Sequence, residues 1–371
     1  MENNKLHIIA SSVPWPPDYG GGIDVFYKLK ALQELGVKII LHCYEYNRPE
    51  ANELKNFCEK VYYYPRKTGL LNQFSLIPYI VKSRYSQLLL ARLMEDNHPI
   101  LFEGMHTIAY LGHPALKDRK RWVRAHNVEH DYYNSLVNAE KHLYKKIYYK
   151  LEACKLKRYN SHLALADGVF AISQPDATGL KKIHQNTLLI PAFHGYTQVG
   201  SLTGKGDYIL YHGDLSIAEN NRSAEFMIEV CKDLHYDFYL AGKEPHKKLK
   251  KMIKPYPNIQ LKSNPDTDMM KKLIKNAGVI LLPAKQTTGL RLKLLISLFI
   301  GRHCIASPEM VIETGLEKLC NIAESKDEWQ QTIKMCMNTP FTMHHIEQRR
   351  NPLKYYLDVN SAKEIVRLIF G

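Results

Sequence analysis

Apolar residues fall into short continuous runs, separated by stretches in which they recur every three or four positions. LHIIASS, from Leu6, opens the series; VKIILHCY, VYYYP, PILFEG, RWVRAHN, GVFAIS and TLLIPA follow in the first half. Between the first two runs, IDVFYKLKALQEL places Ile23, Phe26, Tyr27, Lys30, Leu32 and Leu35 near helical spacing, with Gly36 positioned as a stop. Near-continuous apolar strands alternating with helices predict a parallel sheet covered on both faces. After Pro191 the periodicity ends, and AFHGYTQVGSLTGKGD reads as a linker. The alternation then restarts with YILYHGD, YDFYLAG, IQLKS, GVILLPA and HCIAS. Helices are expected to start near Asn221, His246, Asp266, Thr288 and Pro308, and SAKEIVRLIFG is a closing helix.

The expected architecture is two α/β units, residues 1–195 and 203–350, with a helical tail at 351–371. Two such sheets in succession place a cleft at the carboxyl ends of both strand sets. Between His130 and Asp167 a single long helical stretch is expected. Its middle carries Lys141, Lys145, Lys146, Lys150, Lys155, Lys157 and Arg158, interleaved with Tyr144, Tyr148, Tyr149 and Tyr159. A membrane- or acceptor-binding face and a solvated helix with aromatic core contacts both fit that pattern.

Length and composition narrow the class. The chain has 371 residues, about two domains' worth. A hydrophobic fraction of 45% and a charged fraction of 24% exclude disordered, collagen-like and coiled-coil chains. No apolar run reaches the ~18 residues that span a bilayer. MENNKLHIIASS runs straight into a strand, so no signal peptide is expected. The 7 cysteines form no C-x-x-C pair, which points to reduced thiols in the cytoplasm and gives a zinc ribbon no footing. The 51 basic and 37 acidic side chains leave a net charge of +14. That surplus is either composition bias or a preference for anionic partners. Lysines outnumber arginines 37 to 14, against the arginine-rich habit of nucleic-acid readers.

Four segments carry candidate chemistry. Tyr19-Gly20-Gly21-Gly22 joins a strand to a helix, where backbone N–H groups and the helix dipole favour an anion; it is neither G-x-G-x-x-G nor a P-loop. RAHNVEHDYY contains H-x-x-E-H, a zinc-peptidase pattern that needs both histidines on one helix. Because His126 ends an apolar strand, the competing reading is a histidine that hydrogen-bonds a ligand at the strand's carboxyl end, or one that packs or caps there. NPDTD contains D-x-D, but its place before MMKKLIKNAG suits a helix cap through Asp266 and Asp268. LLPAKQTTGLRLKLLISLFIGRHCIAS joins a buried strand to a helix whose first turns carry Arg291 and Lys293, a combination suited to pyrophosphate.

DYGGG, RAHNVEHDYY, AISQPD, YHGDLSIAENN, YLAGKEP and TTGLRLKLL…GRHCIAS, in this order, resemble the GT-B glycosyltransferases. The nearer likeness is to the retaining family 4 (group 1) enzymes of bacterial polysaccharide synthesis, and it covers almost the whole chain. The resemblance implies two Rossmann-like domains facing across a cleft, with the C-terminal helix crossing back to the first. It implies an acceptor-binding N-terminal domain and a C-terminal domain that holds a nucleotide diphosphate sugar. Gly21 and Gly22 would lie near the donor phosphates, and His126 would contact the transferred sugar. Arg291 and Lys293, with the backbone of Thr288, Gly289 and Leu290, would hold the pyrophosphate; Lys243 is a further candidate.

One departure stands out. The family's paired glutamates align with Ile296 and with Lys285 or Gln286, so ribose recognition must differ, and Glu309 or Glu313 are the substitutes at hand. The implied activity is metal- and cofactor-independent hexosyl transfer to a glycan or undecaprenyl-diphosphate-linked glycan, retaining by family. The enzyme would be cytoplasmic or peripheral on an anionic membrane face at Lys141, Lys145, Lys146, Lys150 and Lys157, without nucleic acid or an obligate protein partner. A nucleotide-sugar epimerase of the same fold and a non-catalytic basic surface-binding protein are the alternatives.

Overall fold

A computed structural model describes residues 4–140, 142–285 and 291–371. The chain forms two compact units. The first takes in residues 4–193 and Asp358–Gly371; the second, residues 194–285 and Arg291–Leu357.

The first unit is built on a parallel sheet of 7 strands. They are β1 (Lys5–Ala10), β2 (Lys38–Glu45), β3 (Lys60–Pro65), β4 (Ile100–Glu103), β5 (Arg121–Ala125), β6 (Gly168–Ala171) and β7 (Thr187–Leu189). Their order is β3-β2-β1-β4-β5-β6-β7. The chain therefore winds outward from β1 in one direction and then from β4 in the other, which creates a topological switch point between those two strands. Both faces of β1 are buried: Leu6 and Ile8 join one core, Ile9 the other. The helix Gly20–Glu34 covers the first of these with Val25, Phe26, Leu29 and Leu32. Gly36, at φ 82°, ends it by donating to the Gln33 carbonyl, as a C′ glycine does.

The closing helix, Asp358–Phe370, belongs to this unit and not to the one that precedes it in sequence. Ala362, Ile365 and Ile369, spaced three and four apart, are fully buried in the core beneath Gly20–Glu34. At ~1.5–3 kcal/mol for a fully buried isoleucine, those contacts are a substantial share of a domain's stability.

The second unit has 6 parallel strands: β8 (Tyr208–His212), β9 (Asp237–Gly242), β10 (Ile259–Ser263), β11 (Val279–Leu282), β12 (His303–Ala306) and β13 (Asn321–Ile322). Their order, β10-β9-β8-β11-β12-β13, places the switch point between β8 and β11. Met227, Ile228, Trp329 and Ile333 cover one face; Leu273, Leu294, Leu298 and Phe299 cover the other.

Two local expectations meet different outcomes. The helix Thr267–Asn276 is capped by Asp266, whose Oδ1 accepts from Met269 N at 2.7 Å, so D-x-D here is a helix start. The single helix expected between His130 and Asp167 is two helices, Glu129–Ala139 and Leu143–Tyr159, packed on each other and followed by a 3₁₀ turn, Asn160–Leu165. Glu140 breaks the run: its backbone turns extended and its carboxylate accepts from His142 N at 3.0 Å, a local bond that competes with the helical one.

Candidate active site

Charged residues gather at the carboxyl ends of β4 and β5 in the first unit. Asp24, from the helix Gly20–Glu34, receives Arg124 through two bonds, Nε at 2.8 Å and Nη2 at 2.9 Å. It also accepts from Phe193 N at 2.8 Å. Lys28, one turn on, donates to Asp24 at 3.2 Å and to Glu103, the last residue of β4, at 2.6 Å. All four side chains are fully buried. Burial alone would raise the Asp24 carboxyl, but the Arg124 and Lys28 cations hold it far below the usual range. Burial likewise works against the Glu103 anion, and Lys28 and His126 outweigh it, keeping that carboxyl below its ordinary value.

His126, one residue past β5, lies on this cluster. Its Nε2 is 3.2 Å from Glu103 Oε2 and 3.6 Å from Asp24 Oδ2. With Glu103 a carboxylate, Nε2 is the nitrogen that donates to it, which leaves Nδ1 as the ring nitrogen outside the pair. The zinc-peptidase reading of HNVEH fails here: the helix begins at Glu129, leaving His126 outside it, and His130 Nδ1 is engaged by Asn160 at 2.9 Å. Asp24, Glu103 and His126 have ligand atoms close enough together for a metal ion. Lys28 and Arg124 already neutralise both carboxylates, so the donor set does not fit a dication.

Next to this cluster, Glu129 opens its helix as a buried residue. Burial, and then the Asp176 carboxylate, push its carboxyl up to about 7. His106 Nδ1 approaches Glu129 Oε1 at 4.0 Å, and burial keeps this imidazole well below its ordinary pKa. Sequence reading missed Asp24, Lys28, Glu103, Arg124, His106 and Glu129. A signal was present: a charged residue inside an apolar run, as in IDVFYK, ILFEG and RWVRAH, has to be paired when the run is buried.

Gly21 and Gly22 sit in the first turn of Gly20–Glu34. A Cβ at Gly22 would lie 2.6 Å from Tyr19 Cε1, so glycine there makes room for the Tyr19 ring. That ring is hydrogen-bonded to Ser12 and covered by Arg48, whose Cζ is 4.6 Å from its centroid.

In the second unit, Lys293, on the helix Leu292–Ile300, reaches the carboxyl end of β8. Its Nζ bonds Asn220 Oδ1 at 2.6 Å and lies 5.2 Å from the Tyr211 ring centroid. A Cβ at Gly213 would sit 2.9 Å from Nζ, so that glycine admits the ammonium. Burial lowers the Lys293 ammonium to about 8, opposed by Glu219 and Asp214, and no carboxylate among the described residues pairs with it. His212, bonded to Ser297 Oγ at 3.1 Å, is pushed down to about 3 by burial and by Lys293. Lys243 follows β9, and its carbonyl accepts from Leu215 N at 3.0 Å, which places it beside the same loop.

Arg291 is directed elsewhere. Its Nη1 donates to the Glu309 carbonyl at 2.6 Å and to that of Met310. The structure therefore does not gather Arg291 and Lys293 on one point: the first ties the helix start to the Pro308–Val311 turn, the second faces Gly213. Ile296 is half-buried against the core, Lys285 is exposed, and Glu313 is exposed at φ 57°. Gln286, Thr288, Gly289, Leu290 and Lys141 lie outside the described residues. A cavity of about 230 Å³, lined among others by Cys304, Cys320, Cys336, His345 and Arg349, opens at the amino end of β12, the end of the strand away from these groups.

No family model matches the chain. A Klebsiella pneumoniae protein described as an uncharacterized 44.6 kDa protein in cps region is 24% identical over 310 residues, covering 78% of this chain and 79% of its own. Among solved structures, a glycosyltransferase from Rickettsia africae matches with TM-score 0.65 at 12% identity, covering 100% of this chain and 98% of that one. A TarM variant from S. aureus, in complex with UDP among other ligands, matches with TM-score 0.65 at 11% identity over 100% of both chains. The UDP-forming α,α-trehalose-phosphate synthase of Burkholderia xenovorans matches with TM-score 0.63 at 10% identity, again over 100% of both. Likeness at such low identity is likeness of fold, and two parallel sheets of 7 and 6 strands, with a closing helix returned to the first, give this chain the GT-B fold of those glycosyltransferases.

Proposed function

We propose that the protein transfers a glycosyl group from a nucleotide diphosphate sugar to a hydroxyl of a glycan or lipid-linked glycan. The observation that carries this reading is Lys293: a half-buried ammonium at the switch point of the second sheet, held by an amide oxygen instead of a carboxylate. A cation drawn partly out of water with a neutral partner is poised to receive an anion. Stabilising the charge that develops on a departing diphosphate is the main demand of the reaction.

In the proposed step the bond from the anomeric carbon to the diphosphate oxygen breaks and the electron pair leaves with the diphosphate. The acceptor oxygen bonds the same carbon, and its proton passes to a phosphate oxygen of the leaving group. This retaining course needs neither a metal nor a resident cofactor. Lys293 neutralises the leaving group, and Lys243 adds charge beside the same loop. Gly21 and Gly22, at a helix start, are offered to phosphate, and Glu309 or Glu313 to ribose. Arg291 acts by fixing the start of the helix that carries Lys293. His126 accepts a sugar hydroxyl at Nδ1 while Glu103 holds the ring. The cps-region relative and the UDP named with two of the structural neighbours support a nucleotide-sugar donor and a polysaccharide setting.

The test is release of nucleoside diphosphate from UDP-, GDP-, ADP- and dTDP-sugars, with and without glycan acceptors. Release that rises with acceptor is the expected result. A donor isomer formed without release would make the protein an epimerase, and no response to any nucleotide sugar would overturn the reading.

A further inference from the structure

Of the two readings open for the helix Leu143–Tyr159, the structure shows the solvated helix with aromatic core contacts. Tyr159 is buried and Tyr148 and Tyr149 are half-buried, so these rings serve the fold. What the helix shows to solvent is aliphatic: Leu143 is 73% exposed, Ile147 52% and Leu151 57%. Residues four apart lie one above another, so these three form a ridge ~12 Å long. Tyr144 stands beside it, also exposed.

A second element extends the apolar surface. Phe74 is 85% exposed and Leu76 89%, nearly as open as in an unfolded chain. Their segment is tied to the same helix on both sides: Lys155 Nζ donates to the Gln73 carbonyl at 2.9 Å, and Glu152 Oε2 accepts from Tyr79 N at 2.8 Å. Five large apolar side chains displayed on two joined elements exceed the scattered single exposures normal on a protein surface.

The solvent-facing charges on this helix have one sign. Lys145, Lys146, Lys150, Lys157 and Arg158 share it with the ridge. Its one acidic residue, Glu152, is buried and committed to Tyr79 and Lys155. Among the described residues, only Lys145 of these five cations meets a carboxylate, Glu140, at 4.0 Å. An exposed apolar ridge beside like charges, with the acidic group withdrawn, is complementary to an anionic lipid surface.

We propose that Leu143, Ile147 and Leu151, together with Phe74 and Leu76, insert into the headgroup–acyl boundary of an anionic phospholipid bilayer, with Lys146, Lys150, Lys157 and Arg158 at its phosphates. This surface stands on its own geometry and does not depend on the sugar-transfer reading. A protein partner's apolar patch would leave four like charges unmatched, whereas an anionic leaflet matches them.

The test uses the full chain and vesicles of phosphatidylcholine, either alone or with about one-third phosphatidylglycerol. The expected result is flotation with the anionic vesicles only. The surface variant F74S/I147S/L151S should bind ~10-fold or more weakly, with its melting temperature no lower than that of the wild type. The insertion itself is read with I147W: the emission of the introduced indole should shift to the blue on anionic vesicles and be quenched by a lipid carrying a spin label near the headgroup. Wild-type protein that ignores anionic vesicles at low salt would overturn the proposal. So would an I147W variant whose new emission stays water-like on bound protein, since binding would then be electrostatic only. A concentration-dependent dimer lost in F74S/I147S/L151S, without lipid binding, would assign the ridge to a second copy of the chain and equally overturn it.

Discussion

The Lys28 ammonium lies 2.6 Å from the Glu103 carboxylate, with both side chains fully buried and a helix and a strand 75 residues apart brought together by the pair. Because Arg124 and Asp24 complete the set, removing one member strands a charge in the interior. Lys28→Met should cost ~3–5 kcal/mol in denaturant unfolding. Replacing both partners, Lys28→Met with Glu103→Leu, should recover much of that loss, because no unpaired charge is left. A double variant no more stable than the single one would show that Asp24 depends on Lys28 as much as Glu103 does.

Lys293 should matter to ligand and little to fold. Lys293→Ala removes a charge-assisted contact of ~1.5–3 kcal/mol to a bound diphosphate, a ~10–100-fold loss of nucleoside diphosphate affinity by calorimetry. Since the free ammonium titrates at about 8, wild-type affinity should fall as pH rises through that value, and the alanine variant should be flat across the same range. A lower melting temperature with unchanged affinity would mark the lysine as structural.

Glu129 should give stability a measurable pH dependence. Its carboxyl is raised to about 7 in the folded chain, so the folded state holds a proton that the unfolded state has released at ordinary glutamate pH. The stabilisation is full below the unfolded value and disappears as pH rises through about 7. Thermal melts from acid to neutral pH should therefore fall by an amount on the order of 3 kcal/mol. Glu129→Gln should remove most of that slope and be the more stable protein at pH above 7.

His126→Ala should reduce turnover ~10–100-fold while nucleoside diphosphate binding persists if, as proposed, the imidazole meets a hydroxyl and not the phosphates. If the ring serves only packing, the same change lowers the melting temperature and leaves the turnover of folded protein near normal.

Turnover should also survive EDTA, since Lys28 and Arg124 already answer the carboxylates of Asp24 and Glu103. Loss of activity that manganese or magnesium restores would show that a metal is needed after all.

The strands and helix stops were legible because they are local: runs such as LHIIA, VKIIL and GVILL, the Gly36 stop and the Asp266 cap each announce themselves within a few residues. The ionic cluster was not, because Arg124 and Asp24 are 100 residues apart and no local pattern pairs them. His126 and Lys293 could be picked out as chemistry-bearing side chains, but their partners Glu103 and Asn220 come from other elements. The orientation of the helix Leu143–Tyr159 stayed open between two readings for a related reason. Its tyrosines and aliphatic residues are both apolar at helical spacing, and contacts with other elements, such as Tyr149 against Tyr133 of the preceding helix, decide which stripe faces inward.

The return of Asp358–Phe370 to the first unit sets an order of events during synthesis. Residues 4–193 leave the ribosome early, yet the hydrophobic site over Val25 and Leu29 has no cover until residues 358–371 are made. At ~5–20 residues per second the nascent first unit waits on the order of 10–30 s in that unfinished state. The half of the molecule made first is thus the half completed last, and a chain stopped before Asp358 would leave that apolar site open on its amino-terminal part.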